Sequence, residues 1–130
     1  METIIKTIPA DNGSLYAICG NDRYLMAKCR AEIQIVEDSK VVPALGSGKV
    51  IAGRHALLMI TFAHKDVRTI DADTIDRIGF QGDLLRKDGR FERMNFGCCE
   101  LNSDLDLSED GTCEFSIRCS PEIIRKLRFM

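Results

Sequence analysis

The chain of 130 residues predicts a mainly β domain, read as an antiparallel β sandwich or partly open barrel with one or two short helices. Three observations carry that reading. Two segments alternate apolar and polar residues with period two, turn-forming dipeptides recur along the chain, and helical periodicity is sparse.

The clearest alternation runs over residues 25–36. Leu25, Ala27, Cys29, Ala31, Ile33 and Ile35 share one face, and Lys28, Arg30, Glu32 and Gln34 share the other, as in a half-buried strand. Residues 113–119 repeat the pattern, with Cys113, Phe115, Ile117 and Cys119 set against Glu114, Ser116 and Arg118. Residues 55–62 are apolar on both faces, which predicts a central or covered strand.

Asn12-Gly13, Asp88-Gly89 and Asp110-Gly111 are hairpin-type dipeptides, because Asn, Asp and Gly tolerate the positive φ of tight turns. Strands are expected on both sides of each: 3–8 and 15–19, 84–87 and 91–98, 105–107 and 113–119.

A terminal helix over about 121–127 follows from Ser120, Pro121 and Glu122 at its start, Ile123, Ile124 and Leu127 on one face, and Arg125, Lys126 and Arg128 near its end. Residues 71–78, with Ile75 and Ile78 at helical spacing, are the second helix candidate. The stretch 37–53 carries Pro43, Gly46, Gly48 and Gly53 and reads as one long loop in a single domain spanning 1–130.

Composition bounds the function. Apolar residues make up 45% and charged residues 29%, an ordinary globular balance, and the formal charge is −2, so no basic surplus advertises nucleic acid or an anionic membrane. The longest apolar run, residues 56–60, is far shorter than the ~20 residues of a membrane helix, and the start of the chain lacks a signal-peptide core. Nothing marks export, so the expected setting is the reducing cytoplasm, with the six cysteines as thiols.

Each candidate chemistry meets an obstacle. Gly46-Ser47-Gly48-Lys49 resembles the end of a phosphate-binding loop, but Pro43 and Val50 stand where that motif needs Gly and Ser or Thr. Cys98 and Cys99 are adjacent and point to opposite faces of a strand, while Cys19, Cys29, Cys113 and Cys119 are scattered, without the paired spacing of a zinc site. The only histidines, His55 and His64, stand ~30 Å apart on an extended strand. Asp71/Asp73 and Asp104/Asp106 lack the further ligands of a calcium loop. The basic run from Arg86 to Arg93 reads as an exposed hairpin tip. No catalytic, cofactor or metal residue is assigned.

Several stretches together resemble the small β proteins of phage and prophage tails, especially tail-tube-like subunits. They are AEIQIV at 31–36, LGSGKVIAG at 45–53, Phe80-Gln81-Gly82 leading into a hairpin over 86–96, the closing strand within 110–117 and the helix at 121–127. The resemblance implies two packed β sheets, a long loop used between subunits, and a ring or tube built without catalysis, in contact with other virion or assembly proteins. The virion then joins the cytoplasm as an expected location. Val41, Val42, Leu45, Gly46, Gly48, Val50 and Ile51 are the candidate self-association residues. A monomeric β-barrel module for a ligand or peptide and a thiol metal-binding protein are the alternatives.

Overall fold

A computed structural model describes residues 2–42, 49–68, 75–102 and 109–130, the side chains of 40–42 and 49–51 aside. Six strands and one helix follow in order: β1 (Glu2–Cys19), β2 (Asp22–Val42), β3 (Lys49–Val67), β4 (Arg77–Leu85), β5 (Phe91–Leu101), β6 (Gly111–Ile117) and α1 (Pro121–Phe129). The fold is mainly β and antiparallel throughout, as the alternation predicts. Hydrogen-bonded neighbours run β1-β2-β3-β6-β5-β4 and return to β1, so the sheet closes on itself as a barrel. The closing seam is thin: among the described residues β5 and β6 pair at Cys99↔Ile117, Glu100↔Ser116 and Leu101↔Phe115, extended by backbone bonds from Asn102 N–H to the Glu114 carbonyl and from Arg118 N–H to the Cys98 carbonyl.

The inward face is what period two dictates. Ile33 and Ile35 of β2, Leu58 and Ile60 of β3, Phe80 and Leu84 of β4, and Phe115 of β6 are fully buried in one core. Each such side chain contributes about 1.5–3 kcal/mol of transfer free energy. Leu25 leaves the expected face because Leu15↔Ala27 is followed by Tyr16↔Leu25; the extra residue, Met26, turns inward in its place.

Helix α1 begins as expected. Ser120 is its N-cap in extended backbone, Pro121 fills the first turn, and Lys126 and Arg128 occupy the last turn. Its apolar side places Ile124 and Leu127 in the barrel core together with Met130. The helix is tied on both flanks. Lys126 Nζ stands 2.5 Å from a Glu92 carboxylate oxygen on β5, and Lys6 Nζ on β1 donates to the Met130 carbonyl at 2.6 Å. It therefore closes the barrel end where β6 has stopped and β5 and β3 run on. Among the described residues, no helix is long and apolar enough to cross a membrane.

Several local expectations give way to the tertiary pairing. Asn12-Gly13 is no hairpin: β1 runs straight through it, with Asn12 at φ 50° as a bulge opposite both β2 and β4. The first hairpin turns instead at Gly20-Asn21, Gly20 having φ 61° and Asp76 Oδ2 accepting from its N–H at 2.6 Å. Positive φ at the first central residue is the type II′ turn that joins twisted antiparallel strands. Asp88-Gly89 does turn β4 into β5, with Gly89 at φ 84°. Asp110-Gly111 opens β6, and residues 105–107 lie outside the described residues. Residues 71–74 of the second helix candidate also lie outside them, while Ile78 sits in β4. The long loop at 37–53 is a correction of another kind. Its residues 37–42 and 49–53 are paired strand, because the β2–β3 ladder continues to Val42↔Lys49.

On the outer wall, Tyr16 lies opposite Gly79 of β4, and its hydroxyl donates to Asn95 Oδ1 on β5, with Arg23 stacked 5.0 Å from its ring centroid. One aromatic side chain thus spans three strands by crossing the position that lacks a side chain. A Cβ at Gly79 would lie 2.4 Å from Tyr16 Cζ. Gly79→Ala is expected to destabilise the fold by about 1–3 kcal/mol. Leu127→Ala, which empties the helix plug, is expected to cost about 2–5 kcal/mol. Urea midpoints at constant m-value measure both.

Candidate interaction surface

The three long strands outrun the barrel. β1 first meets β4 at Ala10↔Leu84, so residues 2–9 have β2 as their single strand neighbour among the described residues. β3 leaves β6 at Ala56↔Ile117, so residues 49–55 likewise have β2 alone. At about 3.3 Å per residue, each free edge is about 25 Å long. Between them β2 forms the middle of a three-stranded arm beyond the helix-capped end. Arg54 Nε bonds Glu37 Oε2 at 2.9 Å, the two residues being direct cross-strand partners.

Edges of this kind carry a row of unpaired backbone N–H and C=O groups and recruit further strands unless blunted. The β1 edge is partly blunted. Ile5 is an extra residue between Ile4↔Val36 and Lys6↔Ile35, Lys6 adds a charge, and Pro9 occupies the last position before β4 begins. Proline is tolerated there because one side of the strand is unpaired. Ile4 nevertheless remains 55% exposed and Ile5 37%.

Four of the candidate self-association residues, Val41, Val42, Val50 and Ile51, fall on this arm. Val41 pairs with Val50, Val42 with Lys49, and Ile51 with Lys40. Leu45, Gly46 and Gly48, like most of the phosphate-loop look-alike, lie outside the described residues. Sequence reasoning overlooked the β1 edge with Ile4 and Ile5. Its signal was available in Lys6 and Pro9, an edge-type charge and an edge-type proline inside an apolar strand.

Cys99 and Cys113 lie in the core, and Cys29 and Cys119 pack against it as small apolar side chains. Burial pushes the Cys29 and Cys99 thiols up to about 12 and the Cys113 thiol up to about 11, with Cys113 adding to the shift at Cys29 and Cys98 to that at Cys99. Burial also raises Cys119, which shares a shallow recess beside α1 with His55. An activated nucleophile needs the opposite shift, toward the thiolate. His64 stands elsewhere on β3, its backbone N–H donating to Asp110 Oδ1 at 2.7 Å. Among the described residues, no three His, Cys, Asp or Glu side chains group as metal ligands. Asp71, Asp73, Asp104 and Asp106 lie outside those residues.

The basic hairpin tip is exposed and largely internally paired, Arg86 with Asp88 and Glu92, and Arg93 with Asp83 at 2.9 Å. Hydrogen bonds from Asn12 and Arg93 hold the Asp83 carboxyl below its ordinary value. Set against known protein families, curated proteins and solved structures, the chain matches none.

Folded-state thiol values above the unfolded value of 9 mean that the native chain holds protons the unfolded chain loses. The thiols' contribution to stability is therefore expected to be level below pH 9 and to fall as pH rises from 9 toward 12. Cys99→Ala should flatten that fall by up to about 1.4 kcal/mol per pH unit, read from urea midpoints between pH 8 and 11.

Proposed function

We propose that this chain is a non-enzymatic assembly subunit that associates with copies of itself through the β arm. One observation carries the reading: residues 2–9 of β1 and 49–55 of β3 are extended strands that, among the described residues, have a strand neighbour on one side only. Paired strands that project past their own core gain most when another chain completes the ladder.

The directions of the strands constrain the assembly. β1 and β3 both run antiparallel to β2, so they are parallel to each other. A head-to-tail array joining the β3 edge of one copy to the β1 edge of the next is therefore a parallel junction that repeats, and it forms a ring where the rotation between copies closes. Joining two β1 edges about a two-fold axis is an antiparallel junction and stops at a dimer. The ring is the arrangement a phage-type tail subunit requires, and that setting is supported by the sequence resemblance.

Size-exclusion chromatography with light scattering tests the proposal. Association is expected at micromolar to millimolar concentration, weakened at least about tenfold by Ile4→Lys, which adds a charge at an exposed edge position and leaves the core intact. A strict monomer at millimolar concentration overturns it.

A further inference from the structure

The barrel end opposite α1 carries a feature the arm does not use. Over β2 residues 28–30 both neighbouring strands bulge. β1 inserts Asn12, and β3 passes four residues, 63–66, between Cys29↔Phe62 and Ala27↔Val67 where β2 passes only Lys28. Bulges on both sides of one strand part the wall and leave an open cleft of about 970 Å³.

Its floor is a cross-strand row, Gly13, Cys29, Phe62 and Gly111, in which two glycines bracket the two larger side chains. Gly13 is obligatory, since a Cβ there would stand 2.6 Å from the Cys29 carbonyl oxygen. Lys28 and Arg30 flank that row from the exposed face, their Cα atoms about 7 Å apart by strand geometry. Neither has a side-chain hydrogen bond or ion pair among the described residues. Ser14 pairs with Lys28, Thr61 with Arg30 and Thr112 with Thr61, so three hydroxyls lie in the same two cross-strand rows as the cations. Across the cleft, Asp110 is already committed to the His64 N–H and anchors the β3 bulge, whereas Asp66 on that bulge has no partner among the described residues.

We propose that this cleft binds a phosphate monoester borne on a hydroxyl-rich group, a sugar phosphate or the ribose phosphate of a nucleotide. The phosphate sits between Lys28 and Arg30, and sugar hydroxyls donate to Asp66. Two cations without a partner among the described residues match a monoester's charge of about −1.5 to −2 at pH 7, and the planar Arg30 fork offers paired N–H donors to phosphate oxygens. The neighbouring hydroxyls donate to the remaining oxygens. A cleft of about 970 Å³ lies at the upper end of small-ligand sites and is far larger than phosphate alone requires. This inference is independent of self-association through the arm.

Amide NMR titration of the full chain with inorganic phosphate, ribose 5-phosphate and AMP tests it. Saturable shifts are expected at Gly13, Lys28, Arg30, Thr61 and Gly111 with at least one ester, at a Kd at least about tenfold lower than for inorganic phosphate. AMP binding more tightly than ribose 5-phosphate identifies a nucleotide, and equal binding identifies a sugar phosphate. The double variant Lys28→Gln/Arg30→Gln changes only exposed side chains and should weaken binding at least about tenfold. Lys87→Gln/Arg90→Gln at the hairpin tip should leave it unchanged, which separates a built site from general cation attraction. The proposal is overturned if neither ester gives saturable shifts by about 10 mM. Binding of inorganic phosphate as tight as either ester, or indifference to the Lys28/Arg30 double variant, also overturns it.

Discussion

Closing six antiparallel strands into a ring demands that every strand find two neighbours, and this barrel meets that demand through three residue pairs at the β5–β6 seam. Below the seam β6 has ended, while β5 continues to Phe91 and β3 to Lys49. The wall would part there and expose its interior. α1 removes that exposure by inserting Ile124, Leu127 and Met130 into the core. Apolar burial supplies most of the gain, because exposed ion pairs such as Lys126 with Glu92 contribute little. The helix is consequently part of the barrel's closure.

The same geometry explains why the two ends differ. At the helix-capped end the three long strands continue past their neighbours and leave backbone edges without a ladder. At the other end the strands stay joined but bulge, at Asn12 on β1 and over residues 63–66 on β3, so the irregularity lies within the wall. Unpaired edges favour strand addition, and bulged walls favour a recess lined by side chains. The arm edges at residues 2–9 and 49–55 and the cleft over Cys29 share no residue.

Glycine and cysteine positions show how closely the wall is packed. Gly79 is the groove that Tyr16 crosses to reach Asn95, and Gly13 sits against the Cys29 carbonyl. The thiols that period two turns inward are held protonated by burial. Their chemistry is that of small apolar side chains, and the reason lies in the low-dielectric interior they help to fill.

Residue order alone was enough for the strands of the core and for the helix. Ile33, Ile35, Phe115 and Ile117 alternate with polar residues, and Ser120-Pro121 begins a helix whose apolar side is short and distinct. These signals are local, resting on the period of two along a strand and on the capping of a helix's first turn. What only the tertiary structure decided was which neighbour each strand would have. Asn12-Gly13 has the composition of a turn, yet it is a bulge because β1 is held by β2 and β4 on both sides of it. Residues 37–42 and 49–53 have the composition of a loop, yet they are strand because the β2–β3 ladder carries on through them. The free edges and the cleft over Cys29 arise from the lengths and registers of non-consecutive strands. Pairing at long sequence separation sets those quantities, and no local run of residues records them.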